Sequence, residues 1–186
     1  MACNLTKGRK EPCKDSVGGI KAVFFIEHPA TATFDSTDTD VIEDLQTSAG
    51  GGVTAFKYEV KGNSSFEQSI TSSRENGTTF FDQTLNLTLH KLTVQDHKEI
   101  KLISFSRPVI VVQDYNDNAF VMGREHGSDV NGGTIVTGAA MADLSGYTLT
   151  FNAQELQPAN FLEGATGANP FAGMTTSVTI TEGTNS

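Results

Sequence analysis

Residues 53–90 read VTAFKYEVKGNSSFEQSITSSRENGTTFFDQTLNLTLH. In Val53–Val60, Phe56, Tyr58 and Val60 alternate with Lys57 and Glu59. After Lys61-Gly62-Asn63-Ser64, Phe66 and Ile70 alternate with Glu67, Ser69 and Thr71. Side chains on a strand point to opposite faces in turn, so each run predicts a half-buried strand, and the pair predicts a β-hairpin. A second turn at Glu75-Asn76-Gly77 leads into a longer strand over 79–90. There Phe81, Leu85, Leu87 and Leu89 share one face, and Asp82, Thr84, Asn86 and Thr88 share the other.

Outward from this segment the pattern stays β. IKAVFFI over 20–26 and VIVV over 109–112 are continuous apolar runs, the second buried on both faces. Asp114–Asn118 predicts a turn with Phe120–Met122 pairing back. Gly132-Gly133 predicts another turn before Thr134–Thr137. Tyr147, Leu149 and Phe151 alternate with Thr148, Thr150 and Asn152 in the last clear strand. One helix is expected, over 92–105, with Thr93 as N-cap, Asp96 in the first turn, and Pro108 beyond its end. Residues 28–52, rich in Thr, Asp and Gly, predict a long loop. The last part, 156–186, predicts an extended arm in which 177–181 adds a strand, for instance to a neighbour.

The chain has 186 residues, 18 of them Gly, with 12 Phe and no Trp. This suits one β-rich domain. Thirteen Lys and Arg stand against 22 Asp and Glu, a net charge of −9, which argues against a DNA-binding surface or attraction to anionic membranes. Residues 1–19 hold no apolar core of a signal peptide, and no long apolar run follows, so a soluble chain made in a cytoplasm is expected. On that expectation the sequons at Asn4, Asn63, Asn76 and Asn86 carry no glycan. Cys3 and Cys13 have neither close spacing nor companion ligands, which favours free thiols over a bridge or a metal pair.

Catalytic motifs are missing: no P-loop, no G-x-G-x-x-G, no G-x-S-x-G, no H-E-x-x-H. The histidines, His28, His90, His97 and His126, read as surface or boundary residues. Asp35, Asp38, Asp40, Glu43 and Asp44 form an acidic run without EF-hand spacing, read as a solvated loop in preference to a calcium site. Glu67 and Asp82 share a polar sheet face with nothing to desolvate them, so acid–base work is not expected of them. No catalytic residue, cofactor or metal ligand is therefore assigned. The distinctive feature is the polar face itself: Lys57, Glu59, Glu67, Ser69, Thr71, Asp82, Thr84, Asn86, Thr88, Thr148, Thr150, Asn152 and Gln154.

Three stretches, CNLTKGRKEPCKDSVGGIKAVFFI (3–26), FKYEVKGNSSFEQSITSSRENGTTFFDQTLNLTLHKL (56–92) and AFVMGREHGSDVNGGTIVTGAAMADLSGYTLTF (119–151), resemble tail tube and related virion proteins of tailed bacteriophages. The resemblance covers most of 1–162 and is one of overall pattern. It implies a mainly β, sandwich or barrel-like tail-tube fold with one flanking helix, a long loop and terminal arms. It divides the chain into a β domain over 1–162 and a C-terminal arm over 163–186. It implies a non-catalytic subunit that forms stacked hexameric rings, located in the virion tail. Its partners would be further copies and other tail proteins: sheath, terminator, baseplate or hub. DNA would pass the channel without specific binding, and no membrane would be engaged. Under this reading the twelve residues from Lys57 to Asn152 above, Gln154 aside, face the lumen. Basic residues there would hold phosphates, so a neutral or acidic lining is expected. Other β-rich virion parts (terminator, connector, capsid decoration) or a small ligand- or calcium-binding sandwich module stand as alternatives.

Overall fold

A computed structural model describes residues 7–11, 13–38 and 40–183. Cys3 and Asn4 lie outside them. The chain is mainly β, with two sheets and one helix. The strands are β1 (Ile20–Ile26), β2 (Ala30–Phe34), β3 (Val41–Thr47), β4 (Thr54–Glu59), β5 (Ser65–Ser73), β6 (Thr78–His90), β7 (Val109–Asp114), β8 (Ala119–Met122), β9 (Asp129–Val136), β10 (Gly146–Glu155), β11 (Asn160–Leu162) and β12 (Thr179–Glu182); the helix α1 spans Val94–Phe105. An eight-stranded sheet runs β12-β4-β1-β7-β8-β11-β3-β2, and a four-stranded sheet runs β5-β6-β10-β9.

The large sheet is apolar on both faces, which explains the continuous runs. Along β7, Ile110 and Val112 face the small sheet, whereas Val109 and Val111 face the other way. The first core, between the sheets, joins Val23, Phe25, Ile110 and Val112 to Leu85, Leu87, Tyr147, Leu149 and Phe151, with Ile100 of α1. Phe25 meets Tyr58 edge-on at 5.1 Å and Phe151 at 5.3 Å. The second core, on the far face, gathers Phe24, Ile26, Ile42, Leu45, Val53, Ala55 and Phe171. Strands β3 and β4 lie five places apart in the sheet, yet residues 48–53 suffice to join them. Strand twist accumulates by about 20–25° per step, so the sheet curls and wraps this second core.

Several expectations hold. The long strand is β6, with Leu85 and Leu87 buried on the expected face. The turn at 114–118 closes as an Asx motif: Asp114 Oδ1 accepts from the backbone N–H of Asn116 and Asn118, both at 2.8 Å. Helix α1 starts at Val94, and Thr93 Oγ1 accepts from Asp96 N at 3.0 Å.

Others are corrected. Residues 28–52 are not a long loop but an antiparallel hairpin of β2 and β3. The alternation was carried by Ala30, Ala32 and Phe34, small or isolated apolar residues packed on the second core. The 53–72 segment is not a hairpin. Strand β4 pairs with β1 and β12 in the large sheet, whereas β5 pairs with β6 in the small one. The turn with Gly62 (φ 71°) and Asn63 (φ 45°) is a crossover between layers. Gly132-Gly133 lies inside β9. A Cβ on Gly133 would sit 2.4 Å from the Thr148 carbonyl oxygen, so close strand approach requires that glycine. Finally, the expected extended arm folds back on its own domain. Strand β11 inserts between β8 and β3, Phe171 packs edge-on against Phe24, and β12 pairs in parallel with β4 of the same chain.

Candidate functional site

The small sheet turns its apolar face to the first core and leaves the other face open. Its registers align polar residues in rows across the strands: Thr134, Thr148 and Thr88; Thr150, Asn86 and Ser65; Asn152, Thr84 and Glu67; Gln154, Asp82 and Ser69. Hydrogen bonds run along these rows and on their diagonals. Thr134 and Thr148 share a proton between hydroxyls at 2.7 Å. Thr150 Oγ1 donates to Asn86 Oδ1 at 3.0 Å, and Asn86 Nδ2 to Ser65 Oγ at 3.5 Å. Asn152 Nδ2 donates to Asp82 Oδ1 at 2.6 Å and to Thr84 Oγ1 at 3.4 Å. Cross-strand polar pairs of this kind contribute about 0.2–1 kcal/mol each and stiffen the face.

Ten of the twelve residues expected on one polar surface therefore share it: Glu67, Ser69, Thr71, Asp82, Thr84, Asn86, Thr88, Thr148, Thr150 and Asn152. Lys57 and Glu59 do not. They lie on β4 in the other sheet, where Lys57 Nζ pairs with Glu59 at 3.2 Å and Glu182 at 2.6 Å. The cause is the crossover after Val60, which sequence alternation cannot distinguish from a hairpin turn. Their departure leaves a surface without lysine or arginine in β5, β6, β9 and β10, with Phe80, opposite Thr71, as an apolar residue on it. Arg107, at one border, is held by Asp129 in a two-pronged ion pair at 3.0 and 2.8 Å.

Among the described residues no strand pairs with the outer edge of β5 or of β9. The nine-residue β5 has no proline and no register shift against β6, whereas β9 carries one against β10. Ile70 on β5 and Ile135 on β9 pair with Phe81 and Tyr147, and so belong to the apolar face. They are nevertheless 67% and 52% exposed, because the sheet overhangs the core on both sides.

The acidic run at 35–44 does not converge. Asp35 and Asp38 cap local turns through Thr37 N (2.6 Å) and Asp40 N (3.1 Å), while Glu43 and Asp44 belong to β3. Thr37 holds the Asp35 carboxyl below its ordinary pKa. Among the described residues, metal-type ligand atoms converge at Glu125, His126 and Glu155. Sequence reasoning did not single out this group. The buried Glu155 carboxylate accepts from Glu125 N (2.9 Å), His126 N (3.0 Å) and His126 Nδ1 (3.2 Å). It staples the β8–β9 turn, and three of the roughly four acceptor sites of its carboxylate serve that task. Cys13 is an exposed free thiol. Among the described residues no helix is long and apolar enough to cross a membrane.

No protein-family model, curated protein or solved structure matches the chain.

Proposed function

We propose that this chain is a non-catalytic structural subunit of a bacteriophage tail tube, assembling into stacked hexameric rings around a channel for DNA. The observation that carries the reading is the small sheet: an open polar face whose strands contain no lysine or arginine, bounded by two edges that no strand covers among the described residues. A polyanion moving past such a face finds no site where phosphates displace counterions, and two carboxylates repel it weakly.

The strand directions favour closure. All neighbours in the small sheet are antiparallel, so β5 and β9 at its two edges run in opposite directions. A rotation about an axis along the strands sets β9 of one copy beside β5 of the next, again antiparallel. This is a head-to-tail contact that closes into a ring and leaves no edge of the small sheet unpaired. Ile70 and Ile135 would then be covered at each junction. The residues facing the bore would be the ten on the polar face, and not Lys57 or Glu59.

Negative-stain microscopy of the purified chain tests the proposal. Hollow rods of uniform width are expected. Closed rings that never stack would favour a terminator or connector role, and a particle monomeric at high concentration would contradict the reading.

A further inference from the structure

Residues 123–128 carry the chain from the large sheet, which holds β8, to the small sheet, which holds β9. Gly127 N donates to Gly123 O at 3.0 Å and closes this link into a turn. Glu125 and His126 lie within the turn, and Glu155, the last residue of β10, bonds to both. One ligand atom from each of the three lies within 4.8 Å of the other two.

The surroundings of these groups are those of metal ligands. Glu155 is only 4% exposed. Its Oε1 accepts from Glu125 N and His126 N, which fix the orientation of the carboxylate. Its Oε2 faces the His126 ring, with Nδ1 at 3.2 Å. An N–H donating to a carboxylate ordinarily closes further, to about 2.7–2.9 Å when charge assists it. The separation suits an ion between the two atoms. At 3.2 Å apart, and each about 2.0 Å from a common zinc ion, they subtend roughly 105° at it, close to tetrahedral. The Glu125 carboxylate is oriented in turn by Arg124, whose guanidinium lies 4.9 Å from the centre of the Phe34 ring. Metal sites share this feature: groups behind the ligands hold them in place. The cluster is also open to solvent, since the side chains of His126 and Glu125 are 60% and 43% exposed. Ser128 Oγ, buried in the same turn, finds no hydrogen-bond partner among the described residues, so protein groups alone do not satisfy this turn.

We propose that Glu125, His126 and Glu155 bind one divalent transition-metal ion of the zinc class, through His126 Nδ1 and one oxygen of each carboxylate, with water in the fourth position. The imidazole selects such an ion over calcium or magnesium, which prefer oxygen ligands throughout. The ion takes the place of the His126–Glu155 hydrogen bond, while both backbone donors on Oε1 stay. The exposed Glu125 side chain closes on it from the surface. Bound there, the ion ties the link between the sheets to the end of β10. The proposal is independent of self-assembly.

Zinc chloride titrated calorimetrically into the tag-free, chelator-stripped chain, in a C3S/C13S background, tests it. One ion per chain is expected, bound in the micromolar range, with a Tm that rises with zinc concentration. His126→Ala and Glu125→Gln should each weaken binding by about tenfold or more. His97→Ala, exposed on α1, should leave it unchanged. In NMR spectra of the chain with all four histidines, zinc should shift the ring signals of His126 and not those of His97, a readout that needs no variant at the site. Absence of zinc binding overturns the proposal. So does one zinc held equally well by the His126 and Glu125 variants, or a titration that moves the ring signals of other histidines and leaves those of His126 in place.

Discussion

The two sheets of this protein solve opposite problems. The eight-stranded sheet buries both faces, curls round a second core, and has the outer edge of β4 covered by β12. The four-stranded sheet buries one face, presents a wet one, and leaves the outer edges of β5 and β9 without a partner strand among the described residues. The first completes both its apolar cores within one chain and ends in the short strands β12 and β2. The second leaves the outer hydrogen-bonding groups of two longer strands without a partner strand among the described residues. A natural sheet protein seldom leaves a long, flat edge such as β5 unguarded unless pairing is its purpose.

The largest effect expected from breaking this contrast lies in the core that joins the sheets. Phe25→Ala removes the ring that touches both Tyr58 and Phe151, and should cost about 3–5 kcal/mol in urea unfolding. Next, Ile70→Lys places a charge on the open β5 edge at an exposed position. Its stability should stay within about 0.5 kcal/mol of the parent, while rod formation is lost in sedimentation assays. Loss of stability without loss of assembly would show that β5 is not a junction.

A pH test sharpens the same contrast on the C-terminal segment 174–183, which packs on the large sheet. Burial pushes the Asp44 carboxyl up, but the donors from Thr176, Gln46 and Thr175 outweigh it and hold the pKa below the ordinary 3.8. A carboxyl with a lowered folded pKa contributes stability above its unfolded value and loses it as pH falls through the folded one. Hydrogen exchange in 174–183 should therefore speed up at acid pH before exchange in β1 and β7 does. Asp44→Asn should produce the same loosening at neutral pH. At the alkaline end, burial first, and then Glu99 and Asp96, push the Tyr58 hydroxyl up to about 12. Its contribution should persist below pH 10 and fade as pH rises towards 12, and Tyr58→Phe should remove a late-ionising component from the spectrophotometric titration of the folded chain. The smallest effect belongs to Thr150→Val, which deletes one cross-strand hydroxyl bond and should change stability by less than about 1 kcal/mol.

The legibility of the sequence follows the same division. In the small sheet β6 and β10 could be read residue by residue, because a strand with one wet face alternates cleanly, whereas Gly132-Gly133 broke β9 into a turn and β5 was given the wrong partner strand. The large sheet could be read only where it is apolar throughout, as in β1 and β7. Strands β2 and β3 were hidden because Ala30 and Ala32 are weak markers of a buried face and Asp44 puts a charge inside. The crossover at 61–64 looked like a hairpin because turn chemistry fixes a reversal of the chain, not the sheet in which it continues. Buried Glu155 and Gln83 left no pattern at all, since their partners are backbone groups of a distant turn: Glu125 N, His126 N and Gly123 N.

The central claim is that the polar face of the small sheet lines an enclosed bore. Asn86 sits at the middle of that face. In a C3S/C13S background, Asn86→Cys should react with a bulky polymer-linked maleimide in the dispersed chain and be protected in assembled rods, while a small maleimide reaches it in both. Equal reaction of the bulky reagent in rods and dispersed chains would place this face on the outside and contradict the account.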